Sequence, residues 1–166
     1  MKRVSIKNVK FYESMSEETN CFQCDVYLDG KKVASAKNSG RGGCTDTYNI
    51  GEYSDFKALE DYCSSLPKTR IEGIDKDFDC NLESVVDQLF EDWLEVKYQK
   101  KMEKDFIKGL CVGTKSYYNL YTWKGLDIPK LLSHSKGHEM LRKNILEFQG
   151  KGETVLNTNI PKELFS

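Results

Sequence analysis

Three short runs of alternating apolar and polar side chains, over residues 4–14, 21–28 and 31–37, constrain the fold most. Alternation with a period of two is typical of half-buried β-strands. The Asp-Gly pair at positions 29 and 30 is a strong signal for a two-residue hairpin turn. Asn8 interrupts the first run, so we expect an irregularity there. The sequence therefore predicts an antiparallel three-stranded meander at its start.

Helical periodicity dominates the remainder of the chain. The predicted elements are a helix over 55–65, a charged connection over 68–81 with room for a short strand, a long amphipathic helix over 82–108, a hairpin of 110–112 and 117–123, helices over 128–132 and 135–148, and a final strand over 153–157. Ser54 is the expected N-cap of the first helix, Ser135 is the expected start of the last one, and Gly109 is the expected C-terminal cap of the long helix.

These elements predict an α+β fold with the meander first, then the long helix, a second hairpin and C-terminal helices. We expect a single domain over residues 1–166, with residues 1–52 forming the meander and a glycine loop and residues 53–166 forming the helices with the hairpin. The length of 166 residues is enough for a sizeable core.

Composition limits the classes of partner. Lys and Arg number 25, Asp and Glu number 26, and the net charge is -1, which argues against a protein that binds nucleic acid through bulk charge. No apolar run approaches the roughly 20 residues that span a bilayer, and the start of the chain lacks the apolar core of a secretory signal. We therefore expect no membrane association and a cytoplasmic location, which is the host cytoplasm if the protein is phage-encoded.

A glycine-rich segment after the third predicted strand carries the first candidate site. Glycine lets a ligand approach the backbone closely, and free N–H groups beside an arginine suit a phosphate or a carboxylate. The predicted ligand-binding residues of this segment are Asn38, Gly40, Arg41, Gly42, Gly43 and Thr45. The alternative interpretation is an ordinary surface connection, because glycine-rich loops are common.

An aromatic strand over residues 117–123 carries the second candidate site. Its alternation places Tyr117, Tyr121 and Trp123 on one face together with Asn119. Aromatic faces of this kind stack on nucleic acid bases, so these three aromatic residues are predicted ligand contacts. The alternative is that the face packs against the long helix, where the aromatic residues at positions 90 and 93 need partners.

Catalytic and metal-binding signatures are weak. The sequence contains no nucleophile elbow, no Walker A motif and no dinucleotide fingerprint. Cys21 and Cys24 have the spacing of half a zinc site, but a strand would point one thiol inward and the other outward. His134 and His138 lie at a predicted helix entrance, where capping or surface roles are the default interpretation. We predict no cofactor, no metal site and no catalytic residue.

Several segments resemble small uncharacterised proteins of bacteriophages and mobile elements. These segments are Ser16-Glu17-Glu18-Thr19-Asn20 with Cys21-Phe22, residues 26–33, residues 37–43, residues 108–111, residues 123–125 and residues 156–159. The resemblance covers most of the chain, brings no established activity and transfers no functional residue. It implies an accessory protein that acts by binding, in a group that includes proteins that disarm host defences.

The sequence thus favours a non-enzymatic binding protein of phage or mobile-element type. Its predicted partner is a host protein, whose defence it would counteract, or an anionic, nucleotide-like small molecule held by Arg41 and the aromatic strand. The alternative is a small hydrolase or transferase acting on nucleotides or nucleic acid, which would use His134 or His138 together with an acidic residue. Direct nucleic-acid binding is disfavoured by the charge, and the oligomeric state, including a homo-oligomer, is left open.

Overall fold

The computed structural model describes residues 3–70 and 77–166, with backbone only at 69 and 70. The fold class is α+β, as predicted. The chain forms two compact units, Met1–Leu94 and Glu95–Ser166. Each unit has a hydrophobic core of its own.

An antiparallel sheet with the strand order β1-β2-β3-β4 forms one layer of the first unit. Its strands are β1 Val4–Phe11, β2 Phe22–Leu28, β3 Lys31–Asn38 and β4 Asp46–Asn49. The first three are the predicted meander. The fourth strand was not predicted, so the three-stranded meander is corrected to a four-stranded sheet.

Local backbone geometry explains the turn and the irregularity. Asp29 and Gly30 have φ angles of 49° and 85°, and two successive positive φ values give the turn that matches the twist of a hairpin. Asn8 has a φ of 52°, and the register of β1 against β2 shifts between Lys7 and Lys10. The expected irregularity at Asn8 is therefore a β-bulge.

The first helix, α1, spans Tyr53–Ser64. Its N-cap is Glu52, without a side-chain hydrogen bond, so the prediction that Ser54 caps the helix is wrong. The helix begins two residues earlier than its polar sequence suggested. Leu59 and Cys63 are its buried residues and join the core of the first unit.

The connection after α1 contains two short strands, β5 Thr69–Arg70 and β6 Asp77–Phe78, which pair antiparallel. The short strand predicted within residues 68–81 therefore exists as a pair. The remainder of that prediction, residues 71–76, lies outside the described residues.

The long helix α2 spans Leu82–Lys108, as predicted. Asn81 accepts a hydrogen bond from the backbone N–H of Ser84 at 2.8 Å, and the Ser84 hydroxyl accepts one from the Asn81 N–H at 3.0 Å. This reciprocal pair satisfies N–H groups that helix geometry leaves free. The helix thus has a clear physical start.

The first part of α2 packs into the core of the first unit. Phe90 stacks on Phe22 with ring centroids 3.9 Å apart and lies 5.7 Å from the ring of Phe11. Phe90 therefore has its aromatic partners in the sheet. The alternative interpretation of residues 117–123 had expected them to supply a partner for this residue.

The second unit contains the hairpin β7 Gly109–Gly113 and β8 Tyr118–Thr122 and the helices α3 Ile128–Leu132 and α4 Ser135–Gly150. The hairpin and α3 agree with the prediction, and α4 runs two residues further than predicted. The predicted final strand is reduced to a single bridge between Val155 and Val112. The core of this unit includes Leu110, Ile128 and Leu141.

Gly109 was predicted to be the C-terminal cap of α2. In the structure it is instead the first residue of β7. A Cβ at this position would meet the carbonyl of Tyr121 on the paired strand. The glycine is therefore explained by the close approach of two backbones.

Among the helices formed by residues 3–70 and 77–166, none is both long enough and apolar enough to cross a membrane.

Candidate functional site

The glycine-rich loop, residues 39–45, connects β3 to β4 in the first unit. Asn38, the last residue of β3, is buried and holds the loop through four hydrogen bonds. Its Oδ1 accepts from the Gly40 N–H at 2.9 Å and from the Thr19 hydroxyl at 2.8 Å. Its Nδ2 donates to the Gly43 carbonyl and to the Thr45 hydroxyl, both at 3.1 Å. One side chain therefore fixes both ends of the loop.

Gly40 ties the loop to residues 16–19. Its carbonyl accepts from the N–H groups of Glu17, Glu18 and Thr19 at 2.9, 3.0 and 3.3 Å. Its φ is 82°, and a Cβ would meet the carbonyl of Met15 and, at 2.8 Å, the Cβ of Cys21. A positive φ and a crowded Cβ position together require glycine here.

Arg41 is the exposed tip of the loop. Among the residues that the structure describes, its guanidinium makes no hydrogen bond or ion pair, and the neighbouring Gly42 and Gly43 are exposed as well. The Gly42 N–H donates to the Thr19 hydroxyl at 3.3 Å. The loop therefore presents a free cation on a backbone that its own contacts hold in place.

The face of α2 that contacts the loop carries an acidic stripe, formed by Glu83, Asp87 and Glu91. Glu83 accepts from the Thr45 N–H at 3.2 Å, and Asp87 accepts from the Thr45 hydroxyl at 2.6 Å. Glu91 accepts from the Asn20 amide at 2.8 Å. This stripe was not predicted from the sequence, although the spacing of four residues places the three side chains on one helix face.

Burial raises the pKa of Asp87 above its usual value, and the charges of Glu83 and Glu91 add to the rise, while the Thr45 hydroxyl opposes it. The Cys44 thiol, which is exposed at the end of the loop, has a raised pKa because it is hydrogen-bonded to Glu83. The potential beneath the loop is therefore negative, which disfavours an anion near Thr45.

Replacement of Asp87 by asparagine should raise the free energy of unfolding at neutral pH, by less than about 1 kcal/mol because the group is only half-buried. The folded pKa exceeds the unfolded value, so the charged carboxyl opposes folding above the folded pKa. This penalty is absent below the unfolded value of 3.8. Urea denaturation across pH should show the gain at pH 7 and its loss at pH 3. Equal stability of the wild type and Asp87→Asn at pH 7 would contradict the raised pKa of Asp87.

The second predicted site, the aromatic face, lies in the second unit. Tyr117 is 77 % exposed, and Tyr121 is 40 % exposed with its ring centroid 4.6 Å from that of Phe148. Trp123 is half-buried and packs against the core of the unit. The alternative interpretation expected this face to pack against the long helix, which is wrong for Tyr121. Its ring packs against Phe148 of α4.

The opposite face of β8 makes the contact with α2. The Tyr118 hydroxyl donates to the buried Asp105 carboxylate at 3.0 Å, and Lys108 pairs with the same carboxylate at 2.6 Å. Burial and the hydrogen bond raise the pKa of Tyr118 to about 12. These three residues stabilise the contact between β8 and α2. Tyr117 and Tyr121 take no part in it and are exposed.

The two histidines hold local backbone. Helix α4 starts at Ser135, as predicted, and His134 is its N-cap, since its Nδ1 accepts from the Gly137 N–H at 3.0 Å. His138 contacts the Leu132 carbonyl through Nε2 at 2.9 Å. Within the described ranges, neither imidazole is hydrogen-bonded to a carboxylate. Both therefore serve the junction between α3 and α4.

The cysteine prediction needs one correction. Cys21 and Cys24 are both buried, so the expected division into one inward and one outward thiol is wrong. Cys24 points into the core from β2, whereas Cys21 precedes the strand and packs beside Gly40. Burial raises the pKa of Cys24 to about 12. In the described part of the chain, no three His, Cys, Asp or Glu side chains are grouped to hold a metal ion.

A cavity of about 680 Å³ opens elsewhere on the first unit. Its apolar wall includes Tyr62, Leu66, Phe78, Val85 and Leu89. None of the nine predicted ligand-binding residues lines it. Within the first unit, the glycine-rich loop is therefore separate from this cavity.

The loop and the aromatic face belong to different units, so each is a candidate site by itself. The contacts of Asn38, Gly40 and Thr45 are made within the protein, whereas Arg41, Tyr117 and Tyr121 are exposed. Comparisons with known protein families, with curated proteins and with solved structures found no match to this chain.

Proposed function

We propose that this chain is a non-enzymatic binding protein of phage or mobile-element type, which docks on a host protein through Arg41 and thereby counteracts a host defence. The observation that carries the proposal is the exposed Arg41 guanidinium, which has no partner among the residues that the structure describes, on a loop held by its own hydrogen bonds. The resemblance of the sequence to small phage proteins supports the biological context.

A held loop favours binding because little conformational entropy remains to be lost when a partner docks. Arginine is enriched among the residues that dominate protein interfaces, since its planar group offers five donors in a fixed geometry. The complementary surface on the partner is an acidic or aromatic pocket that accepts one guanidinium.

The loop itself favours a protein partner over a phosphate. The N–H groups of Gly40 and Thr45 already donate to Asn38 and Glu83, so they do not form an open anion cradle. The carboxylates of Glu83 and Asp87 lie next to Thr45. A phosphate at the base of the loop would meet these negative charges.

Affinity enrichment from a bacterial host lysate tests the docking role of Arg41. Wild type and Lys10→Ala, which removes another exposed cation of the same unit, should retain the same partner. Arg41→Ala should lower its recovery by roughly tenfold or more, as for a dominant interface residue. Recovery that is unaffected by Arg41→Ala would contradict the proposal.

Binding of a nucleotide-like ligand is the second candidate, and the observation in its favour is the exposure of Tyr117 and Tyr121 on one strand. A base stacked on these rings would be sensitive to Tyr121→Ala. Calorimetry with cyclic and linear nucleotides should then show heat that is lost in this variant. Absence of heat with every nucleotide would remove this candidate and leave the protein partner.

A further inference from the structure

The two edges of the sheet in the first unit differ in how they are protected. Edge strands expose unpaired backbone groups, and natural proteins blunt such edges with bulges and lysines. The β1 edge has both devices, the bulge at Asn8 and the exposed Lys7 and Lys10. The β4 edge has neither within Asp46–Asn49.

The register of β4 against β3 defines which backbone groups point away from the sheet. Tyr48 lies opposite Ser35, and the Ile50 N–H donates to the Val33 carbonyl at 3.2 Å. In an antiparallel ladder, hydrogen-bonded and non-bonded pairs alternate. Positions 46, 48 and 50 therefore face β3, and the N–H and C=O groups of Thr47 and Asn49 face outward.

These outward groups have no backbone partner among the described residues. The positions that flank them are already occupied: the Thr45 N–H donates to Glu83, and the Gly51 N–H donates to the Asn49 side chain at 2.9 Å. The free donors of this edge are thus confined to Thr47 and Asn49.

We propose that two copies of the chain pair antiparallel through β4, with Thr47 of one copy opposite Asn49 of the other. A twofold axis through Tyr48 generates this register, and it pairs all four free donors and acceptors of each strand. Registers centred on Thr47 or on Asn49 would bring in the occupied N–H of Thr45 or of Gly51. The strand is therefore self-complementary in one register, as a twofold interface requires.

The side chains fit the same register. Tyr48, which is 44 % exposed, would face Tyr48 of the second copy across a non-bonded pair, where side chains approach most closely. Asp46 would face Ile50 of the second copy, which is 46 % exposed, so the two Asp46 carboxylates do not face each other. Aromatic cross-strand pairs stabilise such sheets. The small area predicts a weak dimer, with a dissociation constant on the order of 100 µM.

Sedimentation velocity over a range of protein concentrations tests the pairing. The wild type should shift from the mass of one chain toward that of two as the concentration rises. Thr47→Pro removes one outward N–H without touching the bonds to β3, and Tyr48→Lys places two like charges at the axis. Both should weaken the dimer at least tenfold, whereas Thr47→Ala, which retains the N–H, should dimerise like the wild type.

Amide hydrogen exchange of the wild type provides a readout that needs no variant to fold. The amides of Thr47 and Asn49 should exchange more slowly at high protein concentration, whereas the Tyr48 amide, which faces β3, should not change. A wild type that stays monomeric at millimolar concentration, or exchange at Thr47 that does not depend on concentration, would overturn the proposal.

Discussion

Replacement of Gly40 by alanine should lower the free energy of unfolding by roughly 2–5 kcal/mol. An L-residue in the left-handed region costs about 1–2 kcal/mol, and a crowded methyl adds about 1–3 kcal/mol. The crowding is with backbone, the Met15 carbonyl, which cannot move aside as a side-chain end can. Because the Gly40 carbonyl also binds residues 17–19, the loop should lose its fixed position, and partner binding through Arg41 should weaken with it.

Gly43→Ala is the matched control for this change. A Cβ at Gly43 meets nothing within 4 Å, and its φ is not positive. The substitution should leave stability unchanged or raise it by about 0.4–1 kcal/mol, because alanine restricts the unfolded chain. Urea denaturation of both variants decides the matter. A Gly40→Ala protein as stable as Gly43→Ala would show that the loop is not held at Gly40.

Replacement of Asn157 by leucine should destabilise the second unit by roughly 2–6 kcal/mol, since two buried polar groups lose their partner and each costs about 1–3 kcal/mol. Asn157 is 6 % exposed. Its Oδ1 accepts from the Cys111 N–H at 2.8 Å, and its Nδ2 donates to the Gly109 carbonyl at 3.0 Å. Leucine has a similar volume and satisfies neither group, so thermal unfolding should start at a lower temperature.

Asn159→Ala separates this effect from a general loss of polarity near the end of α2. Asn159 is exposed and donates to the Phe106 carbonyl at 2.9 Å. Water can replace that bond, so the expected loss is about 1 kcal/mol or less. Equal effects of Asn157→Leu and Asn159→Ala in the same melting experiment would contradict the central role of Asn157.

Elements with a strong local signal were predictable from the sequence. The apolar stripe of α2 and the polar residues at its start predicted where the helix begins and ends. The pair Asp29-Gly30 predicted the hairpin turn. In contrast, β4 has only four residues, Asp-Thr-Tyr-Asn, with no apolar alternation. It is a strand because β3 offers it an open edge, which is a tertiary cause that local pattern does not contain.

The contacts of the candidate loop were beyond the sequence for the same reason. Thr45 meets Glu83 and Asp87 across separations of 38 and 42 residues. The glycines and Arg41 could be identified from the sequence, whereas the contacts of the α2 carboxylates with the loop could not. The distinction between a loop open to anions and a loop filled by its own contacts depends on those distant partners.

An NMR titration of the amide resonances of the loop tests most directly whether the Gly40 and Thr45 amides are occupied by contacts within the protein while the Arg41 side chain is exposed. The loop as described predicts slow exchange of the Gly40 amide, and no saturable shift at Gly40 or Thr45 when inorganic phosphate or nucleotides are added. Rapid exchange at Gly40, together with saturable shifts at both amides, would show an open anion site and contradict the account.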